Sequence, residues 1–441
     1  MSHSPRTRAC LRPRCCRLLP PLALVAAVLL SITVGAQAQA QAPATPAALS
    51  VRDALQAALS RAASPAGADA AAVAAREMAV AAAQQPDPVL RLSLDNLPID
   101  GPDRFSTTRD FMTQRSVSLM QTFTREDKRR ARAERFEREA DVARAERSVR
   151  VATIQRETAF AWFDRRAAEQ RIALLVAQRD ETSLQLQAAQ AAQRGGRGSS
   201  ADVIAARDAT VQLEQALLSA RAERVNAGRM LSRWTGSADD QPLADAPALD
   251  RHAFVALPVA DRLARYPELV QLAAREITAA AEAAVARADR EPDWSAELMF
   301  SQRGPRYSNM VSVAVSLPLP WNRPQRQDRE LAARLAQAEA LRAEREELAR
   351  EFLAQTEGWI DAWRAGLARL ALIDRERGPL AQQRIDAALS AYRGGSAPLA
   401  SVLEARRMAL ALRVERIDVE LETARLWARL EFLIPDQGDA K

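Results

Sequence analysis

Two stretches of the chain decide its fold because they repeat one another: RGGRGSSADVIAAR at residues 194–207 and RGGSAPLASVLEAR at residues 393–406. The matched positions are separated by 393 − 194 = 199 residues. In each stretch a glycine pair precedes apolar residues at helical spacing, which predicts a turn followed by the start of a helix. Similarity over such a long separation indicates a duplicated chain.

The similarity extends upstream of both glycine turns. The sequence SVSL at residues 116–119 matches AVSL at residues 314–317, and Pro-Asp at residues 86–87 recurs at residues 292–293. Each half therefore reads as helix, strand, strand, long helix, glycine turn and helix. The predicted organisation is a first repeat at 43–241, a proline-containing linker at 242–258, a second repeat at 259–434 and a C-terminal tail at 435–441.

Each repeat contains a predicted β-hairpin, at residues 88–120 and 294–320. Leu90, Leu92 and Leu94 alternate with polar residues, and the other strands follow the same period of two. One apolar and one polar or small-residue face suits a strand with lipid on one side and water on the other. A half-buried hairpin of a soluble domain has the same pattern, but two matched hairpins favour the membrane interpretation.

The predicted helices are long. No proline occurs between Pro102 and Pro242, and residues 125–193 read as one helix of roughly 100 Å at about 1.5 Å per residue. Its counterpart runs from residue 325 to residue 392, with an interruption expected at Gly378-Pro379. Apolar residues recur every seven positions after the second turn, which predicts coiled-coil-like packing.

The first 42 residues read as an export signal, because five arginines precede an apolar run and a series of small residues. All three cysteines lie in this segment. The whole chain has 62 basic and 56 acidic residues, so removal of the five arginines leaves 57 against 56. A nearly neutral chain has no electrostatic footprint for nucleic acid.

The sequence offers no set of residues for catalysis or for a cofactor. His252 is the only histidine after the signal, and no cysteine or second histidine accompanies it. We therefore expect no enzyme activity, no cofactor and no metal centre.

Four strands cannot close a membrane barrel, because the smallest single-chain barrels need about eight and an open edge leaves backbone groups unpaired in lipid. Three chains would supply twelve strands. With the two hairpins, the interruption at Pro379 and the motif at residues 392–405, the duplicated order resembles the TolC-like outer-membrane efflux proteins. Within them, the length and the absence of a lipid-anchor cysteine resemble the heavy-metal (CzcC-like) branch.

This resemblance implies a mainly helical fold in which a long-helix barrel joins a trimeric twelve-stranded β-barrel in the outer membrane. The implied partners are two further copies of the chain, outer-membrane lipid, a periplasmic adaptor and an inner-membrane RND-type pump. A periplasmic coiled-coil adaptor or structural protein is the alternative function. An adaptor would need a lipoyl-like or barrel β-domain, and the sequence predicts only two hairpins.

The resemblance also suggests a gate. Asp202 and Glu404 align with acidic positions that line the periplasmic constriction of the family. Ser401 occupies a position that is often acidic, and Ala397 replaces an arginine that ties the gate shut in some members. The alternative is that Asp202 and Glu404 are first-turn helix acids that favour the helix dipole.

Two further groups complete the candidate sites. The glycine turns are both helix-ending turns and expected adaptor-docking tips; they comprise Arg194, Gly195, Gly196, Arg393, Gly394 and Gly395. Bulky side chains at Gly195 or Gly394 are forbidden only where the backbone is left-handed or closely approached. Phe123 and Trp321, each expected just past a strand, are candidate interfacial aromatics at the barrel base; packing of the strand-to-helix corner is the other interpretation.

Overall fold

The computed structural model describes residues 48–196 and 198–435, so the predicted signal and nearly all of the C-terminal tail lie outside the described residues. The helices are α1 (Val51–Arg61), α2 (Ala63–Ala82), α3 (Glu126–Arg194), α4 (Ser200–Thr235), α5 (Ala253–Ala256), α6 (Val259–Arg265), α7 (Pro267–Ala288), α8 (Gln327–Leu372), α9 (Gly378–Arg393) and α10 (Leu399–Glu431). The strands are β1 (Val89–Asp95), β2 (Gln114–Phe123), β3 (Trp294–Gln302) and β4 (Met310–Ser316). The predicted combination of long helices and a small β part is confirmed.

The four strands form one antiparallel sheet in the order β1-β2-β3-β4. The sheet therefore joins the two repeats, because β2 of the first pairs with β3 of the second. Leu92, Val117, Phe300 and Val311 lie in one row across all four strands. The outer edges of β1 and β4 pair with no other strand among the described residues.

The two faces of the sheet differ in chemistry. One face carries the apolar row and its neighbours, and Leu92 and Val313 are 71% and 74% exposed on it. The opposite face is rich in serine: Ser116 and Ser301 are buried, and their hydroxyl oxygens lie 3.3 Å apart. Large aliphatic side chains displayed together on an open sheet face are unusual for a surface in contact with water.

Helix α3 is continuous over 69 residues, which corresponds to roughly 100 Å at about 1.5 Å per residue. Its start at Glu126 and end at Arg194 lie within one residue of the range expected from the sequence. It packs between α2 and α7, and α7 in turn packs against α8. Within the described part of the chain, no helix combines the length and the apolarity needed to cross a bilayer.

The expected interruption near Pro379 takes the form of a π-helical turn, Ile373–Arg377, between α8 and α9. Proline lacks the backbone N–H of a regular helix, and its ring crowds the preceding turn, so a wider turn accommodates it. Two ion pairs join this turn to α10: the turn supplies the carboxylate in one and the guanidinium group in the other. Arg416 Nε lies 2.6 Å from Asp374 Oδ1, and Arg377 Nη1 lies 2.7 Å from Glu415 Oε1.

The largest hydrophobic core lies where the middle of α3, the middle of α8 and the end of α10 meet the segments that begin each repeat. Its most deeply buried large side chains include Trp162, Ile360 and Leu430. The chain between α4 and α5 packs on this core. A bridge between Leu49 and Leu243 fixes it to the start of the first repeat. The two repeats therefore share one core.

Candidate functional site

The two glycine turns have the same backbone geometry. In the first, Gly195 N donates to Ala191 O at 3.0 Å, and Gly196 adopts a left-handed conformation with φ of 71°. In the second, Gly394 N donates to Ser390 O at 2.9 Å, and Gly395 has φ of 72°. A left-handed residue that follows a helix satisfies the last carbonyl groups of that helix. The two glycine pairs therefore have closely similar backbone conformations.

The first glycine of each pair has an ordinary backbone conformation. The φ of Gly195 is −83° and that of Gly394 is −77°. A Cβ atom added at Gly394 would have the carbonyl oxygen of Ser390 at 3.4 Å, which is ordinary contact. The left-handed requirement falls instead on Gly196 and Gly395. Neither Gly195 nor Gly394 therefore requires the left-handed conformation that a side chain would strain.

The two tips contact one another through a small apolar cluster. Ala189 and Ala206 come from the first turn region, and Leu399 and Val402 come from the second. Arg194 and Arg393 end α3 and α9, where positive charge favours the helix dipole. Both arginines are exposed.

Asp202 is the third residue of α4 and forms a capping box with Ser199. Asp202 N donates to Ser199 Oγ at 3.1 Å, and Ser199 Oγ donates to Asp202 Oδ2 at 2.8 Å. The first-turn interpretation is therefore correct for Asp202 as regards local structure. Both donors of Ser199, its backbone N–H and its hydroxyl, use the Oδ2 atom of Asp202.

Glu404 does not lie in the first turn of its helix. Helix α10 begins at Leu399, so Glu404 is its sixth residue and lies in the second turn; the first-turn interpretation is wrong for it. Its carboxylate forms two hydrogen bonds with Arg407, both 2.8 Å long. These hydrogen bonds hold the pKa of Glu404 below its ordinary value. The charge of Glu404 is thus partly balanced within the chain.

Ser401 is the structural counterpart of Asp202, since 401 − 202 = 199. Both are the third residue of their helices. The hydroxyl of Ser401 donates to Pro398 O at 2.7 Å. Ala397 lies in the preceding turn, where its N–H donates to Ala391 O at 3.3 Å. The second repeat therefore has no carboxylate where the first has Asp202.

Sequence reasoning missed an arginine that ties the second tip to α3. Arg406 is largely buried and forms an ion pair with Glu181 on α3. Its counterpart in the first repeat, Arg207, is exposed. The motif match aligned these two arginines, but only the tertiary structure distinguishes the paired one from the exposed one.

Aromatic side chains gather at the end of the sheet nearest the helices. Phe123 is the last residue of β2, not a residue past it, and its ring stacks on Trp294 with centroids 4.3 Å apart. Trp321 is 91% exposed, and it follows β4 by five residues. Trp294 was not among the candidates from the sequence, although it is the cross-strand partner of Phe123.

His252 is buried and fully used in local bonding. Its Nδ1 accepts the backbone N–H of Phe254 at 3.1 Å, and its Nε2 lies 3.2 Å from Trp427 O and 3.3 Å from Glu431 Oε2. Burial lowers its pKa. Across residues 48–196 and 198–435, no group of three or more His, Cys, Asp or Glu side chains is arranged to hold a metal ion.

Comparison with known proteins rests on structure. No protein-family model matches the sequence, and no curated protein matches it. The outer-membrane channel OprN has a TM-score of 0.73 at 20% identity, over 87% of this chain and 89% of that one. CusC has a TM-score of 0.73 at 16% identity, over 88% and 93% of the two chains. VceC from Vibrio cholerae has a TM-score of 0.70 at 18% identity, over 87% and 96%.

The similarity covers most of each compared chain. The sequence resemblance is therefore confirmed at the level of fold. This protein has the fold of the TolC-like outer-membrane efflux channels.

Proposed function

We propose that this protein is the outer-membrane channel of a tripartite efflux system and acts as a passive conduit without enzyme activity. The observation that carries the proposal is the four-stranded sheet, with its exposed aliphatic face and two unpaired edges, joined to a helix roughly 100 Å long at about 1.5 Å per residue. In a membrane, lipid would cover the exposed aliphatic face, and strands of other chains would pair with the two open edges.

Three copies of the chain complete such a barrel. Four strands are too few to enclose a pore, whereas twelve lie within the range of outer-membrane barrels. The serine-rich face would then line the lumen, and the apolar face would contact lipid. The helices would continue the conduit into the periplasm. The aromatic pair Phe123 and Trp294 and the exposed Trp321 would then contribute to an interfacial girdle at the barrel base.

The glycine turns form the periplasmic end in this proposal. A periplasmic adaptor would dock there and connect the channel to an inner-membrane RND-type pump. The exposed Arg194 and Arg393 suit an acidic or carbonyl-rich partner surface. A Gly195→Trp, Gly394→Trp double variant should abolish efflux and leave the protein in the outer membrane, since both positions have ordinary φ values. Full efflux from this variant would exclude docking at the tips.

The cargo in this proposal comprises metal cations or drugs that the pump selects. Asp202, repeated in three chains around one axis, favours cations over anions at the tip. The chain length and the absence of a lipid-anchor cysteine support the heavy-metal branch within this proposal, and a conduit need not itself bind the cargo.

Reconstitution in planar lipid bilayers tests the channel function. The purified protein should produce discrete conductance steps. The control is a double variant with acids on the lipid face, Leu92→Asp with Val313→Asp, which should fail to insert because charges on that face are unfavourable in lipid. Equal insertion by the control, or no conductance from the wild-type protein, would contradict the proposal.

A further inference from the structure

Because the chain is duplicated, strand pairing within one chain predicts how the edge strands of neighbouring chains pair. In the single chain, β2 of the first repeat pairs with β3 of the second, whereas the edges of β4 and β1 are open. Because β4 is the counterpart of β2 and β1 is the counterpart of β3, the β2–β3 pair is a template for pairing between β4 and β1 of the next copy. This reasoning rests on the proposed trimer and specifies its register.

Two offsets define the counterparts. Residues 116–119 match residues 314–317, an offset of 198 from β2 to β4. The Pro-Asp pairs before β1 and β3 differ by 292 − 86 = 206, and the ends of α2 and α7 differ by 288 − 82 = 206. Val117 is thus the counterpart of Val315, and Phe300 is the counterpart of Leu94.

Val117 lies directly opposite Phe300 in the β2–β3 ladder. We propose that Val315 on β4 lies directly opposite Leu94 of the partner subunit, with each chain joined to the next in the same way. Val315 and Leu94 are both exposed on the apolar face of the sheet. The inferred register therefore keeps the apolar face continuous around the barrel. A register shifted by one residue would place apolar side chains of one chain beside polar side chains of the next.

Closure of the barrel agrees with this register. In one chain, Leu92, Val117, Phe300 and Val311 form a row. With the inferred register the row continues at position 98 of the next copy, which is six residues beyond position 92. Six residues per chain in a twelve-stranded barrel give a strand tilt of roughly 45°, at the upper end of the usual range. A register two residues longer gives roughly 55°, outside that range, whereas one two residues shorter gives roughly 35°, at its lower end, so cross-linking has to separate the shorter register from the inferred one.

The helices have a matching unsatisfied surface. Helix α3 packs against both α2 and α7, whereas α8 packs against α7 and makes no comparable contact with α2 in the described part of the chain. Ala286 on α7 is 6% exposed, and its counterpart Val80 on α2 is 61% exposed. Val73 and Ala279 form an equivalent pair. The exposed valines mark the face of α2 that α8 of the next copy would cover.

Disulfide cross-linking tests the register, because the chain has no cysteine after Cys16. Residues directly opposite in antiparallel strands have Cα atoms about 4.5–5.5 Å apart, within disulfide range, whereas diagonal neighbours about 7–8 Å apart are too distant. The double variant Leu94→Cys, Val315→Cys should form covalent trimers in denaturing gels after mild oxidation in membranes.

Three control variants accompany this test. Val117→Cys with Phe300→Cys should cross-link within one chain and stay monomeric in the denaturing gel, since these residues face each other in the structure. Leu92→Cys with Val315→Cys represents the shorter register, and Asn96→Cys with Val315→Cys represents the longer one. Neither of these two variants should cross-link.

The outcomes separate the register from the oligomer. Covalent trimers from either shifted pair would overturn the inferred register. So would the absence of cross-linked trimers from all three inter-chain pairs in a protein that is trimeric before denaturation. Neither result would contradict the proposed channel function. A protein that is monomeric before denaturation would overturn the proposed function, and with it the register.

Discussion

The indole Nε1 of Trp162 donates a hydrogen bond of 2.9 Å to the backbone carbonyl oxygen of Leu49. The second repeat contains the same arrangement, with Trp363 Nε1 donating to Leu249 O at 3.0 Å. The acceptors are 249 − 49 = 200 residues apart and the donors are 363 − 162 = 201 apart. In each case the long helix thus binds the segment just before the first helix of the repeat, which for Leu249 is the linker. The duplication extends into the core and is not confined to the tips.

Replacement of Trp363 by Phe should lower stability, because Leu249 O would lose its indole donor while the ring packing is partly kept. The expected loss is about 0.5–1.5 kcal/mol, the net contribution of one hydrogen bond, because this bond is only part-buried. Trp162→Phe should have a smaller hydrogen-bond effect, since Leu49 O also accepts from Ala244 N at 3.1 Å. Denaturant unfolding of both variants measures the difference, and no loss of stability in Trp363→Phe would contradict this account.

Gly366 marks a close approach between α8 and α10. A Cβ atom at this position would lie 2.3 Å from Thr423 Oγ1 and 3.3 Å from Thr423 Cβ. Thr423 is buried and its hydroxyl donates to Val419 O at 2.7 Å, so it has little freedom to move. Gly366→Ala should therefore destabilise the protein by about 1–3 kcal/mol.

Gly358 on the same helix provides the matched control. No atom lies within 4 Å of a Cβ added there. Gly358→Ala should raise stability by up to about 1 kcal/mol, because alanine has the higher helix propensity. Thermal unfolding of the two variants should shift in opposite directions. Equal shifts would mean that α8 and α10 are not packed as described.

Stability should depend on the protonation of His252. Its Nδ1 accepts the N–H of Phe254, so a proton on Nδ1 would face another donor. Burial lowers its pKa below the ordinary value of about 6.5. Because the unfolded state then binds the proton more readily, this contribution to stability is complete above pH 6.5 and decreases as the pH falls below it.

The comparison for this prediction is His252→Asn, which retains a side-chain acceptor and does not titrate. Glu431, whose carboxylate lies 3.3 Å from Nε2, is the charged group beside the ring. Between pH 7.5 and pH 5, the melting temperature of the wild type should fall further than that of the variant. Equal decreases would show that His252 does not contribute to the acid sensitivity.

Neutralisation of the proposed gate, Asp202→Asn with Glu404→Gln, should reduce cation preference in planar bilayers and weaken block by multivalent cations. Glu404→Gln also releases Arg407 from its two 2.8 Å hydrogen bonds, which leaves a positive charge near the tip. Arg407→Gln is therefore the opposite control and should strengthen cation preference. Unchanged selectivity in both variants would place these residues outside the pore.

Local sequence patterns predicted the strands and the long helices because period-two and helical spacing act over a few residues, whereas the pairing of β2 with β3 appears only in the structure. The first-turn position of Asp202 followed from its place after the glycines. The position of Glu404 did not, because α10 begins at Leu399 directly after Pro398. Each turn contains two adjacent glycines, and the sequence does not show which of the two adopts the left-handed conformation. The indole bonds of Trp162 and Trp363 join residues more than 110 positions apart, so only the tertiary structure reveals them.

The most direct test of the central claim is the native mass of the protein extracted from outer membranes. Because four strands leave two open edges in each chain, the account predicts a complex of three chains that remains soluble only in detergent. Native mass spectrometry in detergent gives the number of chains. A stable monomer in detergent-free buffer would contradict the claim.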